Sequence, residues 1–331
     1  MHLFLVTDAW KPQINGVVRT LGRMISEMQK RGHEVEVASP LDFTSIPCPT
    51  YPEIRLAITP ARKLHQRIDA YKPDAIHIST EGPLGMAARK YCVKRGIPFT
   101  TAYHTRFPEY VHARTRFPLG WSYGMLRRFH NSAARCMVAT DSIQNDLESR
   151  GFENIVRWSR GVDTELFKPT DRSALELPRP ILLYVGRVAV EKNIPAFLDL
   201  DLPGSKVVVG DGPQLAQLRK AYPSVIFLGA LRDDELADIY SAADVFVFPS
   251  KTDTFGLVML EALACGTPVA GFPVPGPLDV IGTRETGYLH DNLKLAIEGA
   301  LERSRETCRE YALANSWDVC VNQFMSNLAK I

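Results

Sequence analysis

The sequence predicts an α/β protein built of two consecutive Rossmann-like domains facing each other across a cleft. Three observations carry the prediction. The chain opens as strand, loop, helix, strand, and that rhythm recurs along its length. It pauses over residues 168–180, a stretch rich in proline and charge that reads as a linker, and then restarts. With 331 residues there is enough chain for two domains that each bury a core. The first domain is set at residues 1–170, the second at 171–312, and a terminal helix falls within 313–331.

Leu3 to Val6 is a short apolar strand, and Thr7 to Gly16 is a loop of turn residues. A helix follows from about Val17 to Lys30, and His33 to Ser39 alternates as a second strand. Gly16 stands at the helix start, where it either lets an anionic ligand approach unpaired amides or is a simple turn glycine. Asp74 to Ile78 is a third strand, followed by the loop Ser79 to Pro83 and a helix over Leu84 to Arg95. Pro98 to Tyr103 is a fourth strand and ends at His104, at the edge where open α/β sheets bind ligands. Met137 to Thr140 reads as a strand and Asp141 to Arg150 as a helix. In the second half Ile181 to Val185, Lys206 to Val209, Val225 to Leu228, Asp244 to Phe248 and Val269 to Phe272 read as strands. Asp233 to Ser241 reads as a helix, and helices near Asn292 to Arg309 and Trp317 to Leu328 finish the chain.

Composition narrows the classes. Hydrophobic residues make up 45% and charged residues 23%, values of a globular protein. No apolar run approaches the ~20 residues of a membrane span, and the first residues turn polar too soon for a signal peptide, so a cytoplasmic protein is expected. The cysteines Cys48, Cys92, Cys136, Cys265, Cys308 and Cys320 form no CxxC pair, which argues against a zinc site or a disulfide framework. The net charge of +2 conceals an asymmetry: residues 1–170 hold 24 Lys and Arg against 16 Asp and Glu, and the remainder holds 15 against 21. A basic first half suits an anionic partner. Arg114 to Arg135 mixes Arg116, Arg127 and Arg128 with Phe117, Trp121, Tyr123 and Phe129, a pattern that fits an anionic lipid surface and equally an ordinary exposed helix. Nucleic acid is not expected, since no recognised binding motif accompanies the charge.

The most informative stretch is Pro249 to Pro268. It follows the apolar run Val245 to Phe248 and closes on Gly266-Thr267-Pro268, so a helix should open near Phe255 or Gly256. Glu261 is the only ionisable acid or base from Phe255 to Thr267, and helical spacing puts it on the apolar stripe of Leu257, Leu260 and Ala264. Burying an unpaired carboxylate costs several kcal/mol, so Glu261 should meet a cation, a set of hydroxyls or a neighbouring side chain. Asp253 precedes the helix start, where unpaired amides favour anions. An acid in the loop, an acid in the helix and amides between them suit a ligand carrying both phosphate and hydroxyl groups.

There is no GxGxxG and no GxxxxGK[ST], and Gly210-Asp211-Gly212 lacks a third glycine, which disfavours a nicotinamide dehydrogenase or a P-loop kinase. Asp199-Leu200-Asp201 has the form of a metal-binding pair but no nearby third ligand, and reads as structural. Arg187 and Lys192 lie in a loop after a strand, where two cations can grip a diphosphate or remain ordinary surface charges.

Taken together, Gly186-Arg187 with Lys192, Gly210-Asp211-Gly212-Pro213, Asp244 to Ser250 and the run Thr252 to Val269 resemble the retaining glycosyltransferases of family 4, which have the GT-B fold. Asn15-Gly16-Val17, Tyr103-His104-Thr105 and Gly161-Val162-Asp163 stand where that family has comparable residues, so the resemblance covers nearly the whole chain. Its most specific element is the pair of acids with seven residues between them; here the first is Asp253 instead of the commoner glutamate, as in the mannosyl- and sulfoquinovosyl-transferase-like branch. The resemblance implies a donor site in which Glu261 binds the nucleotide ribose and Arg187 and Lys192 bind the diphosphate. Gly16 and the amides of Phe255, Gly256 and Leu257 would approach the phosphates. Gly210 is a donor-site candidate too, and the loops Gly210 to Leu215 and Gly229 to Asp233 are the expected readers of the base. His104 would sit near the transferred sugar and Asp253 on its hydroxyls. No metal and no cofactor are implied, the donor being GDP-mannose first and a UDP-hexose second. The last helix, with Trp317 and Phe324, resembles the family's terminal helix that crosses back over the first domain.

The expected activity is therefore hexosyl transfer with retention, from a nucleoside-diphosphate sugar to a lipid or saccharide acceptor. The chain would be cytoplasmic, with peripheral membrane contact through Arg114 to Arg135. Two rivals are kept: a sugar-nucleotide epimerase of the same fold, and a non-catalytic module that binds a membrane surface.

Overall fold

A computed structural model describes the chain apart from residues 14–15, 49–50, 59, 105–106, 110–115 and 252–254 and the side chains of 51–54 and 233. The chain packs as two units, Met1–Ser159 with Cys320–Ile331, and Arg160–Val319.

In the first unit the strands are β1 (His2–Val6), β2 (Glu34–Ala38), the hairpin pair β3 (Ser45–Cys48) and β4 (Tyr51–Ala57), β5 (Ala75–Ile78), β6 (Thr100–Tyr103), β7 (Arg135–Val138) and β8 (Ile155–Arg157). Six of them form one sheet in the order β2-β1-β5-β6-β7-β8, parallel at every pairing. Strand β1 is a continuous apolar run because both faces are covered: Leu3, Phe4, Leu5 and Val6 are all fully buried. The helix Gly16–Lys30 buries Val18, Leu21, Met24, Ile25 and Met28, one stripe at helical spacing. The helix Pro83–Arg95 begins on a proline and stops at Gly96, whose φ of 66° is the left-handed conformation of a helix terminus. The antiparallel pair β3 and β4 is an addition to the sequence reading, and Ile46 of β3 faces solvent.

The second unit has β9 (Ile181–Val185), β10 (Ser205–Val209), β11 (Ile226–Gly229), β12 (Val245–Phe248), β13 (Val269–Gly271) and β14 (Gly287–Leu289). Their order, β11-β10-β9-β12-β13-β14, is again parallel throughout. The winding reverses between β1 and β5 in the first sheet and between β9 and β12 in the second. Such switch points leave a crevice at the strands' carboxyl ends, where ligands bind.

Two elements differ from the sequence reading. The stretch near Asn292 to Arg309 is two helices, Leu293–Leu301 and Arg305–Ala314, because the Ser304 side chain accepts from the Thr307 amide at 3.3 Å and starts a new helix there. The proline-rich stretch 168–180 is pinned to the second unit. Asp244 Oδ1 accepts from Arg179 Nη1 at 2.7 Å and also from Arg172, while Oδ2 accepts from the Ile181 amide at 2.7 Å. Residues just before it are held there too, by Arg309, which donates to the Thr164 and Phe167 carbonyls. The final helix, Trp317–Asn327, starts in the second unit, and from Cys320 the chain packs with the first. There Phe324 is fully buried 4.9 Å from the rings of both His77 and Trp158. Among the described residues no helix is long and apolar enough to cross a membrane.

Candidate active site

At the second unit's switch point two loops come together. The loop after β9 carries Arg187 and Lys192, and the Asn193 side chain donates to the Pro249 carbonyl at 3.0 Å, tying it to the loop after β12. Arg187 is exposed and stands 4.0 Å from Glu191, four residues on. A pair this open to water contributes little, so the guanidinium can exchange Glu191 for a more strongly charged anion. Lys192 closes the short 3₁₀ turn Val190–Lys192 and is half-buried.

Gly210, expected among donor contacts, has a packing reason for being glycine. Its φ is +131°, and a Cβ there would lie 1.9 Å from the Gly186 carbonyl oxygen. The loops after β9 and β10 are thereby locked back to back, with the Val188 amide donating to the Asp211 carbonyl at 2.9 Å. Gly210 thus supports the loop that presents Arg187.

Asp253 lies outside the described residues. Beyond it, Phe255, Gly256 and Leu257 are half-buried at the start of the helix Leu257–Ala264. Gly256 is the N-cap in left-handed conformation, with φ 82°, and it supplies no side chain to the first amides. That leaves donors for an anion at this end. Glu261, one turn on, is buried as its spacing predicts, with 7% exposure. Its Oε2 accepts from the Tyr240 hydroxyl at 3.1 Å. Tyr240, on the helix Asp233–Ala242, is fully buried and meets Phe167 and Phe246 edge-on. The acid therefore has a protein partner that the sequence reading left unnamed. No local pattern marks it, because the two residues are 21 positions apart on different helices.

In the first unit Gly16 begins the helix after the β1 loop, exposed, and a Cβ there would meet none of the described residues within 4 Å. His104 follows β6 and presents its ring edge to Trp158 at 5.7 Å. Three further polar residues gather at this sheet's switch point, and the sequence reading assigned them no role. Buried Asp8 accepts from the amides of Leu84 at 3.0 Å and Gly85 at 3.3 Å and from the Thr80 hydroxyl at 2.9 Å. Burial raises its pKa, against the lowering by those three bonds. Its carboxylate fills the amide end of the helix Pro83–Arg95, so that helix start is already occupied. Glu81 is paired with buried His130 at 3.1 Å. The only available signal was position, just after β1 and β5.

The basic and aromatic stretch resolves into two faces. On the helix Leu119–His130, Tyr123 and Phe129 belong to the core, whereas Trp121 and Met125 are exposed, beside exposed Arg128. Arg114 lies outside the described residues.

Residues 14–166 match the family model described as Glycosyltransferase Family 4, and residues 179–303 match the one described as Glycosyl transferases group 1. The GDP-mannose-dependent α-mannosyltransferase of Mycobacterium tuberculosis is 27% identical, over 99% of this chain and 96% of its own. Sulfoquinovosyl transferase SQD2 of Arabidopsis thaliana is 32% identical over 86% of this chain, which spans 60% of that protein. The α-monoglucosyldiacylglycerol synthase of Streptococcus pneumoniae is 27% identical over 88% of this chain and 75% of its own. Among solved structures, sucrose-phosphate synthase from Thermosynechococcus elongatus superposes with a TM-score of 0.76 at 24% identity, covering 98% of this chain and 97% of that one. Anabaena HepE in complex with UDP and glucose gives 0.70 at 17% identity, covering 98% of both. Two Rossmann-like halves with these matches define a GT-B glycosyltransferase. More narrowly, it is a family 4-like glycosyltransferase, its first half matching the family 4 model and its second half the group 1 model. The epimerase and binding-module readings give way to that class.

Proposed function

We propose that the protein transfers a hexose, mannose as the first choice, from GDP-mannose or a UDP-hexose to a lipid or saccharide acceptor, with retention and without a metal. The observation that supports the donor side is the meeting, at one switch point, of the β9 loop that carries two cations with the β12 loop, which leads to a helix start whose first amides have no side-chain cap among the described residues. A departing nucleoside diphosphate gathers negative charge as the glycosidic bond breaks. Arg187, Lys192 and the amides of Phe255, Gly256 and Leu257 are the groups assigned to stabilise it. Glu261 is assigned to the ribose hydroxyls, with Gly210 behind the base-reading loop. Gly16, His104 and Asp253 take the phosphates, the transferred sugar and its hydroxyls on the family resemblance. Attack then comes from the front face, the departing phosphate oxygen accepting the acceptor's proton.

The choice of mannose and of a lipid or saccharide acceptor follows the relatives, several of which are named for GDP-mannose or for a glucosyl-diacylglycerol product. Calorimetry with GDP, UDP and their sugars tests the donor, and NMR of the product's anomeric configuration tests retention. Absence of binding to all of these, or an inverted product, refutes the proposal. A peripheral position on the inner face of the cell membrane is proposed as well, from exposed Trp121 and Met125 beside Arg128 on one helix of the basic half.

A further inference from the structure

We infer that Tyr240 determines how sharply this site separates a ribonucleotide from its 2′-deoxy counterpart, acting as a positioning residue through Glu261. The inference rests on the assignment of Glu261 to the donor ribose. Tyr240 is a rigid anchor. Its side chain is fully buried, ring edges of Phe167 and Phe246 confine it at 6.0 and 5.7 Å, and its carbonyl accepts from the buried Thr267 hydroxyl at 2.5 Å. Thr267 is itself reached by the Arg305 guanidinium at 3.3 Å. From this frame the phenol donates to Glu261 Oε2, and a bond to a charged acceptor is roughly twice as strong as a neutral one.

A carboxylate offers about four acceptor positions, so the phenol takes one and helps to fix the plane of the others. A ribose presents two adjacent hydroxyls. A carboxylate held in one plane can accept from both, and removing the 2′-hydroxyl then leaves a buried acceptor position unmatched. Sites built this way reject the analogue lacking the hydroxyl. Without the phenol the carboxylate loses one of the bonds that fix its plane, and discrimination falls.

The test is calorimetry on the full chain with GDP, 2′-deoxy-GDP, UDP and 2′-deoxy-UDP. Wild type should bind the preferred ribonucleotide at least ~10-fold more tightly than its deoxy form. Tyr240→Phe removes only one oxygen and leaves the ring in place. It should weaken the ribonucleotide ~5- to 10-fold and leave the deoxy form nearly unchanged, so that the ratio collapses; Glu261→Gln should collapse it in the same way. Equal weakening of both forms by Tyr240→Phe, or no change in either, would reduce Tyr240 to a structural role and overturn the inference while the donor assignment stands. Wild-type binding without a ribose preference overturns it too, and absence of binding to every nucleotide overturns the donor assignment along with it.

Discussion

His130 Nε2 stands 3.1 Å from Glu81 Oε1, joining a fully buried imidazole to a partly exposed carboxylate just past β5. Burial alone would favour the neutral ring, but Cys136 and Glu81 outweigh it and raise the His130 pKa to about 10. The other ring nitrogen lies 2.9 Å from the Thr101 hydroxyl, and the residue ends the helix Leu119–His130, where the helix dipole favours a cation.

A pH dependence of stability follows from that pair. The folded pKa lies above the ordinary 6.5, so the pair's contribution is complete below about pH 6.5 and is lost as the pH rises toward about 10. His77 behaves oppositely. It is wholly buried and lowered to about 3, so its contribution is complete above about pH 6.5 and lost as the pH falls toward 3. Thermal melts across both ranges should show the two slopes, and Glu81→Gln should flatten the alkaline one. An unchanged alkaline slope in that variant would remove Glu81 as its source.

The donor assignments predict that Arg187→Ala, Lys192→Ala and Glu261→Ala each lower turnover by about 100-fold or more, the scale of losing a group that stabilises developing charge or fixes the substrate. For exposed Arg187 the stability change should stay within about 0.5 kcal/mol, so a melt separates lost chemistry from lost folding. Full turnover in Lys192→Ala and Glu261→Ala would sink the assignment.

Two glycines should part company. Gly210→Ala combines a left-handed φ with a 1.9 Å clash against backbone and should destabilise the second unit by more than about 1 kcal/mol. Gly16→Ala meets none of the described residues and should leave the melt nearly unchanged while weakening nucleotide binding. Equal binding by Gly16→Ala and wild type would assign Gly16 to the turn alone.

Phe324→Ala should cost about 3–5 kcal/mol, because the ring is fully buried against Trp158 and His77. Urea denaturation followed by tryptophan fluorescence measures it. A loss below about 1 kcal/mol would mean that the terminal segment contributes little to the first unit.

Replacing both Trp121 and Met125 with alanine should leave folding intact, since the two side chains are 72% and 66% exposed, and should weaken sedimentation with anionic vesicles. Wild-type binding should also fall at high salt. Vesicle binding that ignores both changes would rule out this face.

Much of the fold was legible because its signals are local. Runs such as Leu3 to Val6 and Val245 to Phe248 are apolar on both faces, as buried parallel strands must be, and the sequence places their turns correctly. The inward carboxylate of Glu261 was legible for the same reason, since helical period alone puts it on the apolar stripe. The β3–β4 ribbon and the helix Ala61–Tyr71 went unread. The stretch 168–180 was read as a linker because its composition is that of one, whereas Asp244 holds it down through Arg172 and Arg179.

The sequence by itself determined the two α/β halves, the inward acid and the likeness to family 4 glycosyltransferases. Only the tertiary structure decided what those residues meet: Tyr240 on Glu261, Gly186 behind Gly210, and His130 on Glu81. The physical reason is range. Period and turn chemistry act within a few residues and leave a mark in the local pattern, whereas a buried polar group's partner is chosen by how separate elements pack, and no short stretch of sequence encodes that choice.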